Sequence, residues 1–243
     1  MSIQPINSPQ TVLVTGASKG IGRACVRTLM QSGWHVKAVA RDNSGLKALK
    51  NRHAGDFDYL SADLCTIEGR ALLFEWLSHR CPDCIVHCLG GNVEVTNPAN
   101  AFEAAMQLNF HSVITINEHL LSKFSTIKKI IHMSSSAAVH GRANTPYACA
   151  KVALNRYIAD RGSSLVARDV TMTGIMPPAV EGDDNNWVQE KSINPEKYER
   201  MLARQVLNRA QTTEEIATLV TWLCNNESPI FSGCLISTDS TIF

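Results

Sequence analysis

Short apolar and β-branched runs alternate with longer stretches of helical periodicity along the chain, without an internal repeat or a low-complexity tract. Residues 11–15 (TVLVT), 35–40 (HVKAVA), 57–61, 84–88 (CIVHC), 129–133 (KIIHM), 170–176 and a short run at 234–238 read as strands. Helical periodicity predicts helices over about 21–32, 66–79, 102–124, 147–165 and 214–223, and another after residue 40 that Asp42, Asn43 or Ser44 can cap. Strands separated by helices of this length require right-handed crossovers, so the pattern predicts an α/β fold: a doubly wound parallel sheet of about seven strands with helices on both faces. The near-continuous apolar character of the strands agrees with burial on both sides. In such sheets ligands bind at the carboxyl ends of the strands.

A length of 243 residues suits one large domain, and no break in composition argues for two. Residues 1–10 read as a polar extension containing Pro5 and Pro9, and residues 11–243 as a single dinucleotide-binding and catalytic domain. A formal net charge of +1 gives no electrostatic reason to expect nucleic acid or an anionic membrane as partner. The amino terminus lacks the charged start and apolar core of a signal peptide, and no run of about eighteen apolar residues is present. The eight cysteines are scattered through predicted core segments, so the economical expectation is a cytoplasmic protein with reduced thiols.

The candidate chemistry sits where the topology puts a ligand. Thr15 to Gly22 (TGASKGIG) follow the first strand and open the first helix. Glycine there permits a tight turn and close approach of a pyrophosphate, and the helix N-terminus offers unpaired N–H groups to the anion. Further on, Tyr147 and Lys151 are four apart on a predicted helix and therefore share a face. A free phenol has a pKa of about 10. A cation held about 4 Å away at an effective dielectric near 20 contributes about 4 kcal/mol, enough to lower that pKa by roughly 3 units. Tyr147 would then be a usable acid or base near neutral pH, with a hydroxyl such as that of Ser135 holding a carbonyl oxygen. Taken alone, a Tyr and a Lys at this spacing are more often a packed ring and a solvated face; the glycine turn upstream is what favours the catalytic reading.

The spacing Gly-x-x-x-Gly-x-Gly, the Tyr147-x-x-x-Lys151 pair, the preceding Ser134-Ser135 and Asn109 further back together resemble the short-chain dehydrogenase/reductase family in its compact form, over about residues 11–239. The resemblance implies a single-domain Rossmann-like fold and an oxidoreductase that interconverts a ketone and a secondary alcohol by hydride transfer. It implies that the serine orients substrate, Tyr147 transfers the proton, Lys151 binds the nicotinamide ribose and tunes the tyrosine, and Asn109 anchors a water relay behind the lysine. The usual serine–tyrosine separation of thirteen selects Ser134. The local pattern around Ile131–Ser135 and the downstream Gly141 align Ser135 instead, and Ser135 is the preferred candidate.

The same resemblance implies cofactor contacts at Gly16, Ser18, Lys19, Gly20, Ile21 and Gly22 in the turn, and at Arg41 after the second strand. Asp63 and Leu64 match the adenine-binding pair, Leu89 and Gly90 the ribose segment, and Pro177 and Val180 the nicotinamide wall, beside Tyr147 and Lys151. Ala40 stands where NAD-binding relatives carry an acid, and Arg41 with Lys19 suits the extra phosphate of NADP(H), a small-molecule carbonyl or alcohol being the substrate. Asp42 is the contrary feature, and a capping role accounts for it. Several positions depart from the family: His87-Cys88-Leu89-Gly90 replaces Asn-Asn-Ala-Gly, Pro178 replaces a glycine, Gly182 replaces a threonine, and Ser240-Thr241 replace paired glycines after Asp239.

Cys81, Cys84, His87 and Cys88 invite a metal reading, but side chains alternate across a strand and one tetrahedral site does not easily gather them, so no metal is expected. Residues 181–207 read either as a substrate lid or as an ordinary amphipathic packing segment. Pocket positions are expected at Val93, Ala137, Val180 and Trp187. The long helices 102–124 and 147–165 match the family's dimer contact, which implies a homodimer or homotetramer. Two rivals stand beside the ketone reductase: a 3-oxoacyl-thioester reductase, which needs a basic or open mouth, and a noncatalytic NADP(H)-binding sensor or interaction protein.

Overall fold

Alternation along the strands decides which side chains meet which helices. The computed structural model describes residues 10–53, 57–95, 97–140, 144–182 and 186–239. Residues 1–9 of the polar extension, Gly141, and Ser240 and Thr241 lie outside the described residues. Strands β1 (Thr11–Thr15), β2 (His35–Ala40), β3 (Phe57–Ser61), β4 (Cys84–His87), β5 (Lys129–Met133) and β6 (Thr171–Met176) join the final strand in one parallel sheet. A two-residue pair, β7 (Val180–Glu181) with β8 (Gln211–Thr212), stands apart, so the final strand is β9 (Leu235–Ser237). The order is β3-β2-β1-β4-β5-β6-β9, the doubly wound arrangement that the strand pattern predicts. Strands 84–88 and 170–176 each end up one residue shorter than expected, at His87 and at Thr171.

Val12 and Val14 face one side of the sheet, where they pack with Leu29 of α1 (Gly20–Gln31), Leu46 of α2 (Asn43–Arg52) and Val220 of the last long helix. Leu13 faces the other, with Leu73 and Leu77 of α3 (Ile67–Ser78) and the helices that follow β4 and β5. Helix starts are fixed locally. Asp42, of the three candidates, caps α2 by accepting from the Ser44 and Gly45 N–H groups, and Thr66 caps α3 through the Gly69 N–H.

The expected helix 102–124 is not one regular helix. It starts four residues earlier as α4 (Pro98–Met106), capped by Asn97, and passes through a π turn (Gln107–His111) into α5 (Ser112–Lys123). Within the turn the Asn109 amide donates to the Ala105 carbonyl at 3.1 Å, and the Ser112 hydroxyl donates to the Gln107 carbonyl at 2.7 Å. Periodicity cannot register one such inserted residue, yet π turns concentrate at functional sites because they re-aim a side chain. A short helix α6 (Ala137–His140) precedes α7 (Thr145–Leu165), whose first turn carries Tyr147. The segment after β7 forms α8 (Asn186–Ile193) and α9 (Pro195–Leu202), and α10 (Thr213–Asn225) opens with a reciprocal Thr212–Glu215 capping box. Among the described residues no helix is long and apolar enough to cross a membrane.

Two adjacent leucines on α3 test this layering. Leu73 is fully buried under the sheet, while Leu72 is half exposed. Leu73→Ala is expected to cost about 3 kcal/mol and Leu72→Ala less than about 0.5 kcal/mol. Urea midpoints at unchanged m-value report both, and equal costs would contradict the assigned helix face.

Candidate active site

The carboxyl ends of β1, β4, β5 and β6 open into a cavity of about 1260 Å³. It is lined at one end by Gly16, Lys19 and Arg41 and at the other by Ser135, Tyr147 and Trp187. A smaller hollow on the outer face of α7, beside Tyr157 and Arg161, contains none of the candidate residues.

Gly16 turns the chain at φ +68°, and a Cβ there would come within 2.8 Å of the Cys88 backbone. The missing Cβ lets the turn pack directly on that backbone, whereas a Cβ on Gly20, at φ +52°, would meet no atom within 4 Å, so the turn is open there. Lys19 stands at the N-cap of α1 without a side-chain cap bond, so the helix end is open to an anion. Arg41 lies 3.8 Å from the Asp63 carboxylate, both groups being well exposed, and such a pair is worth little in water. The Asp42 carboxylate accepts from the Ser44 hydroxyl and from two N–H groups at α2, which holds it below the usual carboxylate range, with Lys19 assisting.

At the other end Tyr147 and Ser135 meet. The Ser135 side chain lies close enough to the phenol to favour its ionised form, while Ser134 donates to the Asn155 side chain. Of the two serines, Ser135 is therefore the one that faces the phenol. Burial pushes the Tyr147 phenol up from its ordinary value, and the nearby Ser135 hydroxyl opposes that shift. This differs from the acidified phenol that the Tyr–Lys spacing suggests. The reason is placement: the Lys151 ammonium lies 5.6 Å from the centre of the Tyr147 ring and donates to the Met133 carbonyl at 2.8 Å. Lys151 is itself almost fully buried, and desolvation lowers its pKa from 10.5 to about 8, against a small opposing effect of the Cys88 thiol.

Asn109, delivered by the π turn, is completely buried and bonded on both sides. It accepts from the Gly91 N–H at 2.9 Å and donates to the Gly91 carbonyl at 3.0 Å. A Cβ on Gly90 would fall 2.8 Å from the Asn109 side-chain oxygen and 3.0 Å from the Lys151 ammonium. One glycine thus marks the point on which the asparagine and the lysine converge. Neither Asn109 nor Asp63 borders the cavity itself, whereas Leu64, Leu89, Gly90, Pro177 and Val180 do. Val93 does not reach it, while Ala137 and Trp187 do.

The departures from the family pattern have visible compensations. His87 Nε2 lies 2.8 Å from the Asn117 side-chain oxygen and is therefore the protonated nitrogen. Its Nδ1 accepts from the Thr15 hydroxyl at 3.3 Å, and that hydroxyl accepts from the Leu89 N–H at 3.3 Å. Burial lowers His87 to about 4, so the ring stays neutral. The Asn117 amide faces His132 Nε2 at 3.0 Å, stacking the two imidazoles 5.0 Å apart. A histidine–asparagine–histidine row thereby meets the hydrogen-bonding needs left by the missing asparagines. Gly182 has its own reason: a Cβ there would come within 2.5 Å of the Thr213 methyl, so Thr213 fills the space a threonine would take.

Cys84 and Cys88 share one parity and one sheet face, but they meet different partners. Cys84 Sγ lies 3.5 Å from Cys224 Sγ, and the Cys88 thiol neighbours Cys25, with thiol neighbours and burial raising Cys25 and Cys224. Among the described residues no group of three or more ligating side chains could hold a metal. Sequence reasoning missed the pairing of His140 with Asp239 at 3.3 Å on the cavity wall, and the cationic side chains of α9. Neither belongs to a motif, and only the fold brings them to the site.

Residues 10–192 match the model of a family described as short chain dehydrogenase. A tropinone reductase homologue of Arabidopsis thaliana is 26% identical, over 95% of this chain and 90% of that protein. L-xylulose reductase of Caenorhabditis elegans is 26% identical, over 94% of this chain and 93% of that protein. The structure titled Pseudomonas aeruginosa RhlG/NADP active-site complex superposes with a TM-score of 0.87 at 23% identity, covering 98% of each chain, a likeness of fold.

The lowered lysine generates a pH signature. With a folded value of about 8 against an ordinary 10.5, the folded chain holds fewer protons than the unfolded one between those values, so this group's contribution to stability rises with pH across that window. Below about pH 8 the cost of burying the charge is fully present. The stability of the parent minus that of Lys151→Met should therefore increase from pH 8 to 10.5 by a few kcal/mol, about 1.4 per pKa unit. Thermal melts across this range measure it, and a flat difference would contradict the burial of a charged lysine.

Proposed function

The chain belongs to the short-chain dehydrogenase family, and from that premise we propose that it is an NADP(H)-dependent oxidoreductase that reduces a ketone to a secondary alcohol. The observation that carries the reading is the juxtaposition of Tyr147, Ser135 and Lys151 on the wall of one cavity that the glycine turn also lines, with the ammonium 5.6 Å from the centre of the phenol ring. The names of the relatives, two carbonyl reductases, and the NADP complex of similar fold support it.

The residues present fit a nicotinamide dinucleotide. The open space at Gly20 and the start of α1, where Lys19 makes no side-chain cap bond, suit its pyrophosphate, and Lys19 with Arg41 suits a ribose phosphate. Ala40 places no carboxylate there, and Asp42 is turned into its own helix. When bound, the reduced cofactor supplies hydride to the carbonyl carbon. Ser135 holds the carbonyl oxygen by a hydrogen bond, and Tyr147 delivers its phenolic proton to that oxygen. Lys151, still mostly protonated at neutral pH, is placed to hold a ribose hydroxyl and to stabilise the phenolate left behind. Asn109 keeps the π turn and the Gly90–Gly91 segment in register with that lysine. Residues 10–239 act as one catalytic unit with α8 and α9 as its lid, and self-association would use the α5–α7 face. The full Asn109–Ser135–Tyr147–Lys151 set favours an enzyme over a noncatalytic NADP(H) sensor.

Two substitutions test the assignment. Tyr147→Phe should lower kcat on a ketone about 100- to 10,000-fold while NADPH still binds, as read by its fluorescence. Lys19→Ala combined with Arg41→Ala should raise KM for NADPH about tenfold or more, with little change for NADH. A Tyr147→Phe enzyme as active as the parent, or a parent that prefers NADH, would overturn the corresponding part of the proposal.

A further inference from the structure

The substrate end of the cavity carries charge that the reaction at Tyr147 does not use. Lys197, Arg200 and Arg204 follow one another at i, i+3 and i+7 on α9 and its last turn, and all three border the cavity. They therefore form one stripe, about 10 Å long at the helical rise per residue. The other charged residues of α9, Glu196 and Glu199, do not border the cavity.

The stripe is only partly neutralised. Lys197 is paired with Glu190 at 2.9 Å. Arg200 meets Glu196 at 3.6 Å with both side chains well exposed, a contact that water and salt largely screen. Arg204 has no acidic partner among the described residues. Of the carboxylates that border the cavity, Glu190 is engaged by Lys197, Asp239 by His140 and Asp42 by the start of α2, which leaves Glu94. Two arginines four residues apart, one of them without an acidic partner among the described residues, thus border the same cavity as the phenol. Lys19 and Arg41 serve the far end, beside the glycine turn.

We infer that the substrate is an anionic ketone, whose carboxylate or phosphate group is held by Arg200 and Arg204 while its carbonyl meets Tyr147 and Ser135. The inference rests on the reductase reading and adds the substrate class to it. A planar guanidinium fork matches either anion bidentately, and a pair at this spacing can clamp a single group. The adjacent Trp187 and Met201 supply apolar surface for the carbon chain between the two ends.

The test uses matched pairs that differ in charge: levulinate against methyl levulinate, and acetoacetyl-coenzyme A against the acetoacetyl thioester of N-acetylcysteamine. The parent should favour the anionic member of at least one pair by about 10- to 100-fold in kcat/KM, the scale of one or two charged hydrogen bonds. That preference should fade as salt is added. Preference within the first pair assigns a carboxylate and within the second a phosphate, and either sustains the inference. In Arg200→Gln/Arg204→Gln the ratio should fall toward one through a higher KM for the anionic member. Equal use of both members by the parent overturns the inference while leaving the reductase reading standing. So does a double variant that keeps the ratio but loses NADPH affinity, since the arginines would then serve the cofactor. Turnover of none of the four compounds, with NADPH bound, overturns both.

Discussion

The site is organised around the burial of one ammonium group. Removing a lysine side chain from water costs several kcal/mol unless its N–H groups find acceptors, and the buried Lys151 donates to the Met133 carbonyl at 2.8 Å. The surrounding features serve that arrangement. Gly90 leaves out the Cβ that would strike both the ammonium and the Asn109 oxygen. The π turn supplies Asn109, whose two ends close on Gly91 and fix the loop after β4. Tyr147 stands one helical turn from Lys151, with that ammonium 5.6 Å from its ring centre and Ser135 beside its hydroxyl.

The layer structure was legible because it depends on parity and length. Val12 and Leu13 are adjacent and point to opposite cores, as strand geometry requires, and the helices between strands are long enough to cross over. The glycine turn, Tyr147 and Lys151 were legible as well, because their spacing is itself the chemistry. What escaped depends on contacts between distant segments. An extra residue inside a helix leaves the apolar stripe almost unchanged, so 102–124 reads as one regular helix. The β7–β8 pair is two residues long and carries no period. The sign of the phenol's shift also lay beyond spacing: four residues along a helix place Lys151 near the ring, but not how deeply both are buried, and depth decides between Coulomb attraction and desolvation.

The departures from the family pattern illustrate the same dependence on distant partners. A histidine in place of asparagine at 87 is tolerable only because Asn117, from α5, and Thr15, from β1, present the matching acceptor and donor. Protonating that ring would break the Thr15 bond, and burial lowers its pKa to about 4, so the row is insensitive to pH across the neutral range. Gly182 is likewise explained from outside its own segment, since Thr213 already fills the adjacent volume. Neither exchange is conservative by residue type, yet His87 keeps a partner for each ring nitrogen, while His132 Nδ1 is left without one.

The raised phenol bears on the direction of the reaction. A proton donor must hold its proton until the moment of transfer, and desolvation of Tyr147 favours the neutral, protonated hydroxyl. The alkoxide that develops as hydride reaches a carbonyl is far more basic than a phenolate, so the transfer remains downhill even from a weakened acid. The reverse reaction needs the phenolate at the start, and burial opposes that state. Lys151, with its own pKa lowered to about 8, loses its charge over the pH range in which a phenolate would otherwise form, which removes support from the oxidative direction further. The same desolvation that costs the fold stability thus biases the proposed chemistry toward reduction at neutral pH.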